Sequence, residues 1–252
     1  MVSDATVPAE LTGSLHGRRV VIVGSSGIAA RLASMAAAAG SEIVLAGRDQ
    51  RKLDALAADL DRTAAGGVRT AVVDVRQEDS IVRLAESVGE LDHLVSLAAA
   101  HAAGPVAQLD VSAIRDAFDA KVIGPMLLAK HFSGNIRAGG SILLFSGLAA
   151  WRPTPGLSVT ATTNGAVSFL AEALAVELGP IRVNAISPGV TDSGYWDSLG
   201  EAKAGFFAET AERNPARRIG ATQDIAAAAL SVLVNPFITG TTIHVDGGAR
   251  LA

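Results

Sequence analysis

The chain has 252 residues, of which 49% are hydrophobic and 18% are charged, and its formal net charge is −4. That length suits one large α/β domain, and the mildly acidic balance argues against nucleic acid or an anionic membrane as the main partner. The chain has no cysteine, which excludes disulfides and thiolate chemistry. No apolar run is long enough for a membrane span, and residues 1–16 lack the pattern of a signal peptide. We therefore expect a short tail followed by one cytoplasmic domain over residues 17–252.

Short apolar runs alternate with longer, alanine-rich helical patterns. The predicted strands are Arg18–Val23, Glu42–Ala46, Thr70–Val73, Leu91–Leu97, Ser141–Phe145, Ile181–Ile186 and Thr241–Val245. The predicted helices are Ile28–Ala39, Asp49–Asp61, Asp79–Val88, Ser112–His131, Gly156–Leu178 and Asp224–Val234. Apolar strands separated by helices require crossover connections, so the pattern predicts one doubly wound parallel sheet with helices on both faces. Such a sheet binds its ligands at the carboxyl ends of its strands.

The first three predicted strands are each followed by a candidate nucleotide-binding group. The turn after the first strand opens a helix and consists of Gly24, Ser25, Ser26, Gly27 and Ile28. Free N–H groups and the helix dipole at such a turn favour a phosphate. Arg48 follows the second strand, where it can meet the extra phosphate of NADP or lie solvated in a turn. Asp74 and Val75 follow the third strand, where the carboxylate can hold an adenine edge or cap the next segment.

The chain resembles the short-chain dehydrogenase/reductase family over residues 17–248. The most specific stretches, in the right order and spacing, are Val20–Leu32, Ala46–Asp49, Ile181–Val190 and Phe237–Gly248. This resemblance implies an NAD(P)-dependent oxidoreductase that assembles as a homotetramer or homodimer, and Arg48 favours NADP(H). It also implies a further set of cofactor-binding residues, namely Ala98, Ala99, Pro188, Gly189, Val190 and Ser193.

The nucleotide-binding motifs depart from the family pattern at two places. The family's loop has three glycines, and here Val23 and Ala29 stand where the first and third are expected. A β-branched valine resists the backbone angles that glycine supplies, so we expect weakened cofactor binding or none. The family's Asn-Asn-Ala-Gly motif appears here as the run that begins at Ser96 and ends at Ala99.

The catalytic positions depart further. In the family a serine after the fifth strand acts with a tyrosine and a lysine on the next helix, and the lysine lowers the pKa of the tyrosine so that the phenol exchanges a proton with substrate. Ser146 supplies the serine region, although the alignment also allows Gly147 at that position. Thr160 occupies the tyrosine position and Asn164 the lysine position. Because a threonine hydroxyl does not ionise near neutral pH, it can relay a hydrogen bond but cannot replace a phenolate.

Lys121 falls where the family has an asparagine, on an apolar stripe of the predicted helix Ser112–His131. An unpaired charge is costly there, so we infer that a lysine and an asparagine have exchanged helices; alternatively, Lys121 extends along its own stem to solvent. Two other groups can exchange protons: His101, which follows the fourth strand, and Tyr195, the only tyrosine, in the expected substrate lid. The remaining histidines have the pattern of structural or exposed residues, and no spacing suggests a metal site.

Three functions stay open at this point. The first is an atypical oxidoreductase that binds NADP(H) and acts on a small carbonyl or alcohol. In it Ser146 polarises the substrate oxygen, Lys121 and Asn164 hold the cofactor ribose and a water, and Thr160 relays a proton. The second is a non-redox enzyme on the same scaffold, such as a dehydratase, isomerase or cyclase. The third is a catalytically silent protein that binds a ligand or an oligomer partner.

Overall fold

A computed structural model describes residues 14–60 and 66–252. Most of the expected tail and the end of the predicted helix Asp49–Asp61 therefore lie outside the described residues. The strands are β1 Arg19–Val23, β2 Glu42–Gly47, β3 Val68–Val72, β4 Leu91–Ser96, β5 Ile136–Phe145, β6 Arg182–Pro188, β7 Thr191–Asp192, β8 Gly220–Ala221 and β9 Thr242–Val245. The α-helices are α1 Gly27–Ala38, α2 Gln50–Leu60, α3 Glu78–Val88, α4 Val111–Phe118, α5 Gly124–Phe132, α6 Ser158–Glu177, α7 Ala202–Arg213 and α8 Thr222–Val234.

Seven strands form one sheet in the order β3-β2-β1-β4-β5-β6-β9, and every neighbouring pair is parallel. Alternate residues of a strand point to opposite faces: Val20 and Ile22 pack with α1 and α8, whereas Val21 and Val23 pack with α3, α5 and α6. Both faces are thus covered, which explains why the strands are apolar on both sides. The predicted doubly wound sheet is confirmed. Its order reverses between β1 and β4, and this is where such a sheet has its ligand crevice.

One described helix, α6, has the length and the mean hydropathy (1.2) of a membrane span. Its buried stripe includes Val167 and Ala171, which belong to the core cluster formed with β5 and β6. A core helix packed against a sheet accounts for this apolar composition.

The predicted continuous helix Ser112–His131 is wrong, because a π-helical turn over Asp119–Ile123 separates α4 from α5. Pro125 has no N–H and cannot donate to the carbonyl of Lys121 four residues earlier, so the backbone widens to the pattern in which the Gly124 N–H donates to the Asp119 carbonyl. Lys121 therefore sits on a π-turn, a feature that is frequent at functional sites.

Other differences from the predicted elements lie near the carboxyl edge of the sheet and at strand ends. Helix α7 and the short parallel pair β7–β8 follow β6 and were not predicted. β5 begins five residues earlier than the predicted Ser141 because it includes the glycine-containing stretch from Ile136 onward.

Candidate functional site

A crevice of about 180 Å³ opens at the switch between β1 and β4. Its walls are the residues that follow β1, β2, β3 and β4, together with Ala120 of the π-turn. Of the predicted cofactor-binding residues, eight line it: Gly24, Ser25, Ser26, Arg48, Asp74, Val75, Ala98 and Ala99. The structure therefore brings the candidate nucleotide-binding groups from four separate strands into one place.

The glycine turn is better preserved than the sequence suggested. Val23 is an ordinary strand residue, in register with Ala46 and Ser96, so the unusual backbone angles are not required of it. Gly24 carries them, with φ +145°, and a Cβ there would lie 3.0 Å from the Cβ of Leu97. The premise that Val23 must adopt the backbone angles of a glycine is therefore wrong, because Val23 lies in the strand and Gly24 adopts those angles.

The N-terminus of α1 follows this turn directly. The Ser26 hydroxyl accepts a hydrogen bond from the Ala29 N–H at 3.3 Å and caps the helix. Gly27 touches the segment after β6, because a Cβ at Gly27 would lie 2.6 Å from the Ser193 carbonyl oxygen. Gly27 and Ser193, two predicted cofactor-binding residues, thus lie in contact, although neither lines the crevice with Arg48. Ile28 begins the helix beside them and packs against the core.

Charge in the crevice comes from one carboxylate and two guanidinium groups. Arg76 donates to Asp74 through Nη2 at 2.8 Å and through Nε at 3.0 Å, and this hydrogen bonding, followed by weaker attraction to Arg48, holds the pKa of Asp74 below its usual range. Arg48 is exposed and lines the same crevice. Arg76 was missed in the sequence, although an arginine two residues after a strand-end aspartate is a spacing that allows this ion pair.

The centre of the candidate catalytic site lies where β5 ends against α6. Ser146 is buried, and its hydroxyl donates to the Asn164 carbonyl at 2.8 Å and accepts from the Ser168 hydroxyl at 3.2 Å. The proton with which Ser146 was expected to polarise a substrate oxygen is therefore already engaged inside the protein. Asn164 is 5% exposed and its side-chain amide lies against Gly147.

Lys121 is buried beside the same strand end, which excludes the alternative in which its side chain extends to solvent. Its Nζ donates to the Ser146 carbonyl oxygen at 3.4 Å, and among the described residues no carboxylate pairs with it. Desolvation lowers the pKa of this ammonium to about 8. A buried, unpaired lysine that loses its proton this close to neutral pH is a group suited to acid–base chemistry.

The two other proton-exchange candidates, His101 and Tyr195, contact each other. The rings of His101 and Tyr195 pack edge to face, with centroids 5.0 Å apart, and Trp196 continues the cluster. Desolvation and then the Lys121 charge lower the pKa of His101. Tyr195 is 55% exposed, and in the described chain its hydroxyl makes no hydrogen bond to Lys121. The one phenol of the chain therefore does not rebuild a tyrosine–lysine pair here.

Two predicted groups remain apart from the crevice. Thr160 is half-buried on the first turns of α6, and its carbonyl accepts from the Thr163 hydroxyl at 3.3 Å. Pro188 ends β6, and Gly189 and Val190 follow it; a Cβ at Gly189 would lie 2.8 Å from the Asp246 Cα. The segment after β9 packs so closely against position 189 that it leaves no room for a side chain there.

The sheet order and the glycine turn define a doubly wound α/β domain, with a crevice at the switch in strand order. A family model described as enoyl-(acyl carrier protein) reductase matches residues 22–250. The short-chain dehydrogenase/reductase ucsE of Acremonium sp is 30% identical over 251 residues, which cover 92% of this chain and 95% of the relative. The corresponding malC protein of Malbranchea aurantiaca is 30% identical over 253 residues, or 94% and 96% of the two chains. The chain belongs to the short-chain dehydrogenase/reductase family of oxidoreductases.

Solved structures agree with this assignment. The structure of MalC reductase/Diels-Alderase from Malbranchea aurantiaca has a TM-score of 0.91 at 26% identity and covers 96% of this chain and 100% of its own. A small-chain dehydrogenase solved in complex with NADPH has a TM-score of 0.78 at 32% identity, with 94% and 100% coverage. The family's fold therefore extends over nearly the whole chain.

Proposed function

We propose that this chain is an NADP(H)-dependent oxidoreductase acting on a small carbonyl or alcohol substrate. The observation that carries the proposal is that one crevice joins the glycine turn before α1 to Arg48 and Asp74. These are the groups that a phosphorylated adenosine needs, namely N–H donors, a cation and an acceptor. The NADPH complex of the 32% identical neighbour supports the same cofactor.

The residues present fit this cofactor. Gly24 gives the turn its positive φ and its close approach to Leu97, and the turn through Ser26 leads into the N-terminus of α1, whose free N–H groups would bind a phosphate. Arg48 would hold the extra phosphate, and Asp74, fixed by Arg76, would accept from the adenine amine. When bound, the cofactor supplies or accepts a hydride.

The proton that accompanies the hydride must come from this chain or from water. Thr160 cannot supply it, because an aliphatic hydroxyl is not acidic enough near pH 7. In the proposal the Nζ of Lys121 holds and releases this proton, since its pKa of about 8 keeps it protonated at neutral pH but close to release. Thr160 relays a hydrogen bond, and the His101–Tyr195 pair forms the outer wall of the substrate site.

A second candidate is a non-redox reaction on the same scaffold. It is favoured by one observation, that in the described chain no tyrosine hydroxyl hydrogen-bonds Lys121, whose Nζ donates to the Ser146 carbonyl oxygen. The similarity to a protein called a reductase/Diels-Alderase supports it, because that description joins redox and non-redox chemistry on one chain of this fold. In this alternative the site binds and polarises a carbonyl while the cofactor is not consumed.

The same proposal includes a homodimer or homotetramer in the cytoplasm with no nucleic-acid or membrane partner. Its support is a set of exposed apolar residues on the π-turn and on α5 and α6, each of which packs against the π-turn. The exposed residues are Ile123, Met126, Phe169 and Val176. An apolar surface of this kind is typical of contacts between copies of a chain.

Titration with NADPH, followed by the fluorescence of the nicotinamide, tests the proposal. We expect saturable binding and, with a panel of small aldehydes and ketones, cofactor oxidation. Binding without oxidation of NADPH by any carbonyl compound would favour the non-redox alternative. An unchanged nicotinamide fluorescence at millimolar cofactor would contradict both the redox reaction and the cofactor assignment.

A further inference from the structure

Gly147 has no side chain for a reason of space and not of backbone conformation. Its φ is 172°, which is extended backbone that any residue adopts. A Cβ built on it would lie 2.7 Å from Nδ2 and 3.2 Å from Cγ of Asn164. The amide of Asn164 therefore occupies the volume that a side chain at position 147 would need.

The Asn164 amide is an almost buried polar group that has not been satisfied within the protein. The residue is 5% exposed, and in the described chain its Nδ2 and Oδ1 take part in no hydrogen bond. Among the described residues, the side-chain atoms that are fully buried and lack a hydrogen-bond partner all belong to residues other than Asn164. The Asn164 amide is therefore still accessible from outside the protein. Buried amides are nearly always hydrogen-bonded, and one that is open on one side indicates a ligand atom.

The backbone that carries this amide is held firmly. The Ser146 hydroxyl donates to the Asn164 carbonyl at 2.8 Å, and the Ser168 hydroxyl donates to the Ser146 hydroxyl at 3.2 Å. Ser146 therefore fixes the turn of α6 from which the amide projects. Because its own proton is engaged in doing so, Ser146 is a positioning residue.

Lys121 contacts the same strand end, with its Nζ 3.4 Å from the Ser146 carbonyl oxygen. An amide N–H donor at Gly147 and an ammonium at Ser146 thus both lie against this short stretch of backbone. We propose that Asn164, in the space left at Gly147, donates the hydrogen bond that holds the substrate's carbonyl oxygen. This inference rests on the proposed carbonyl substrate.

An amide N–H binds an oxygen without giving up its proton, so its contribution is to stabilise negative charge on that oxygen. The proton itself must come from another group, and Lys121 is the buried cation at hand. Asn164 and Lys121 would thus divide between them two tasks: binding the oxygen and protonating it.

Selective labelling tests this directly, because the chain has only five asparagines. The protein is labelled with ¹⁵N-asparagine, and the side-chain NH₂ signals of Asn164 are identified by their loss in Asn164→Leu. Cyclohexanone is then titrated to its solubility limit, with methylenecyclohexane as the hydrocarbon of the same shape. We expect a saturable downfield shift of the Asn164 signals with the ketone and none with the hydrocarbon.

Gly147→Ala provides the second arm, because the added methyl group takes the volume of the amide. We expect this variant to fold, by its circular dichroism, and to lose the ketone-dependent shift. Asn164 signals that do not move with cyclohexanone, or that move equally with methylenecyclohexane, would overturn the inference. Neither measurement needs cofactor or turnover, so a failure of NADPH binding would be seen separately, by fluorescence.

Discussion

Replacing Lys121 by methionine removes a buried ammonium but keeps the length and the apolar stem of the side chain. Burial lowers the pKa of Lys121 from its ordinary value of 10.5 to about 8. At pH 7 the buried charge therefore lowers the free energy of unfolding by about 3 kcal/mol relative to an uncharged side chain. The variant also removes the hydrogen bond to the Ser146 carbonyl, worth about 1 kcal/mol. We therefore expect Lys121→Met to be more stable by about 2 kcal/mol at pH 7 while losing turnover.

The sign of the pH dependence follows from the lowered pKa. Between pH 8 and 10.5 the unfolded chain holds the lysine proton and the native chain does not, so the stability of the wild type rises with pH. The advantage of Lys121→Met should shrink over that range. Urea unfolding at pH 7 and near pH 10, at fixed protein concentration, measures the difference. Lys130→Met is the matched control: that side chain is 62% exposed in a pair with Glu78, and we expect a change under about 1 kcal/mol.

A destabilised Lys121→Met at pH 7, or an advantage that does not change with pH, would refute the reasoning. Either result would mean that the ammonium is stabilised in the fold by interactions stronger than its single backbone acceptor. Turnover that survives in the variant would leave the stability argument intact but would remove Lys121 from the proton path.

The remaining predictions concern cofactor choice, acid stability and assembly. Arg48→Glu should weaken NADPH binding by about 10- to 100-fold and leave NADH binding nearly unchanged, as measured by fluorescence titration. Arg51→Glu is the control, because Arg51 does not line the crevice, and it should leave NADPH binding unchanged. Burial lowers the pKa of His93 from 6.5 to about 4. Between these pH values the unfolded chain binds a proton at His93 and the native chain does not. Stability should fall by about 3 kcal/mol from pH 6.5 to 4, and His93→Asn should lack this loss in urea unfolding. Phe169→Asp should dissociate the oligomer in light scattering, and Phe237→Asp, at a loop residue that is even more exposed, should leave it intact.

Most of the fold was predictable because a parallel sheet covered on both faces needs strands that are apolar throughout. β1 and β4 were predicted to within one residue at each end on that basis. The π-turn at Lys121 was not predicted, because the spacing of apolar residues takes no account of the hydrogen bond that is lost at Pro125. Helix α7 was missed because its residues are mostly exposed and amphipathic patterning is weak there.

The sequence allowed us to predict that the candidate site residues follow the ends of strands. It did not allow us to predict which of their side chains are in contact. Arg48 and Asp74 follow strands, so their meeting in one crevice follows from sheet topology. The engaged hydroxyl of Ser146 and the amide of Asn164 against Gly147 depend on how closely α6 approaches β5. No spacing along the chain fixes that distance, so only the structure could relate these residues.

In the proposed reaction this chain reduces a carbonyl with a proton supplied through Lys121 and without a phenol. Deuterium transfer from NADPH that carries deuterium at both C4 positions to a panel of small ketones and aldehydes, measured by mass spectrometry of the alcohols, tests this reaction. We predict deuterium in the product with the wild type and with Tyr195→Phe, and none with Lys121→Met. Unlabelled products throughout despite bound NADPH, or transfer abolished by Tyr195→Phe and retained by Lys121→Met, would contradict the claim.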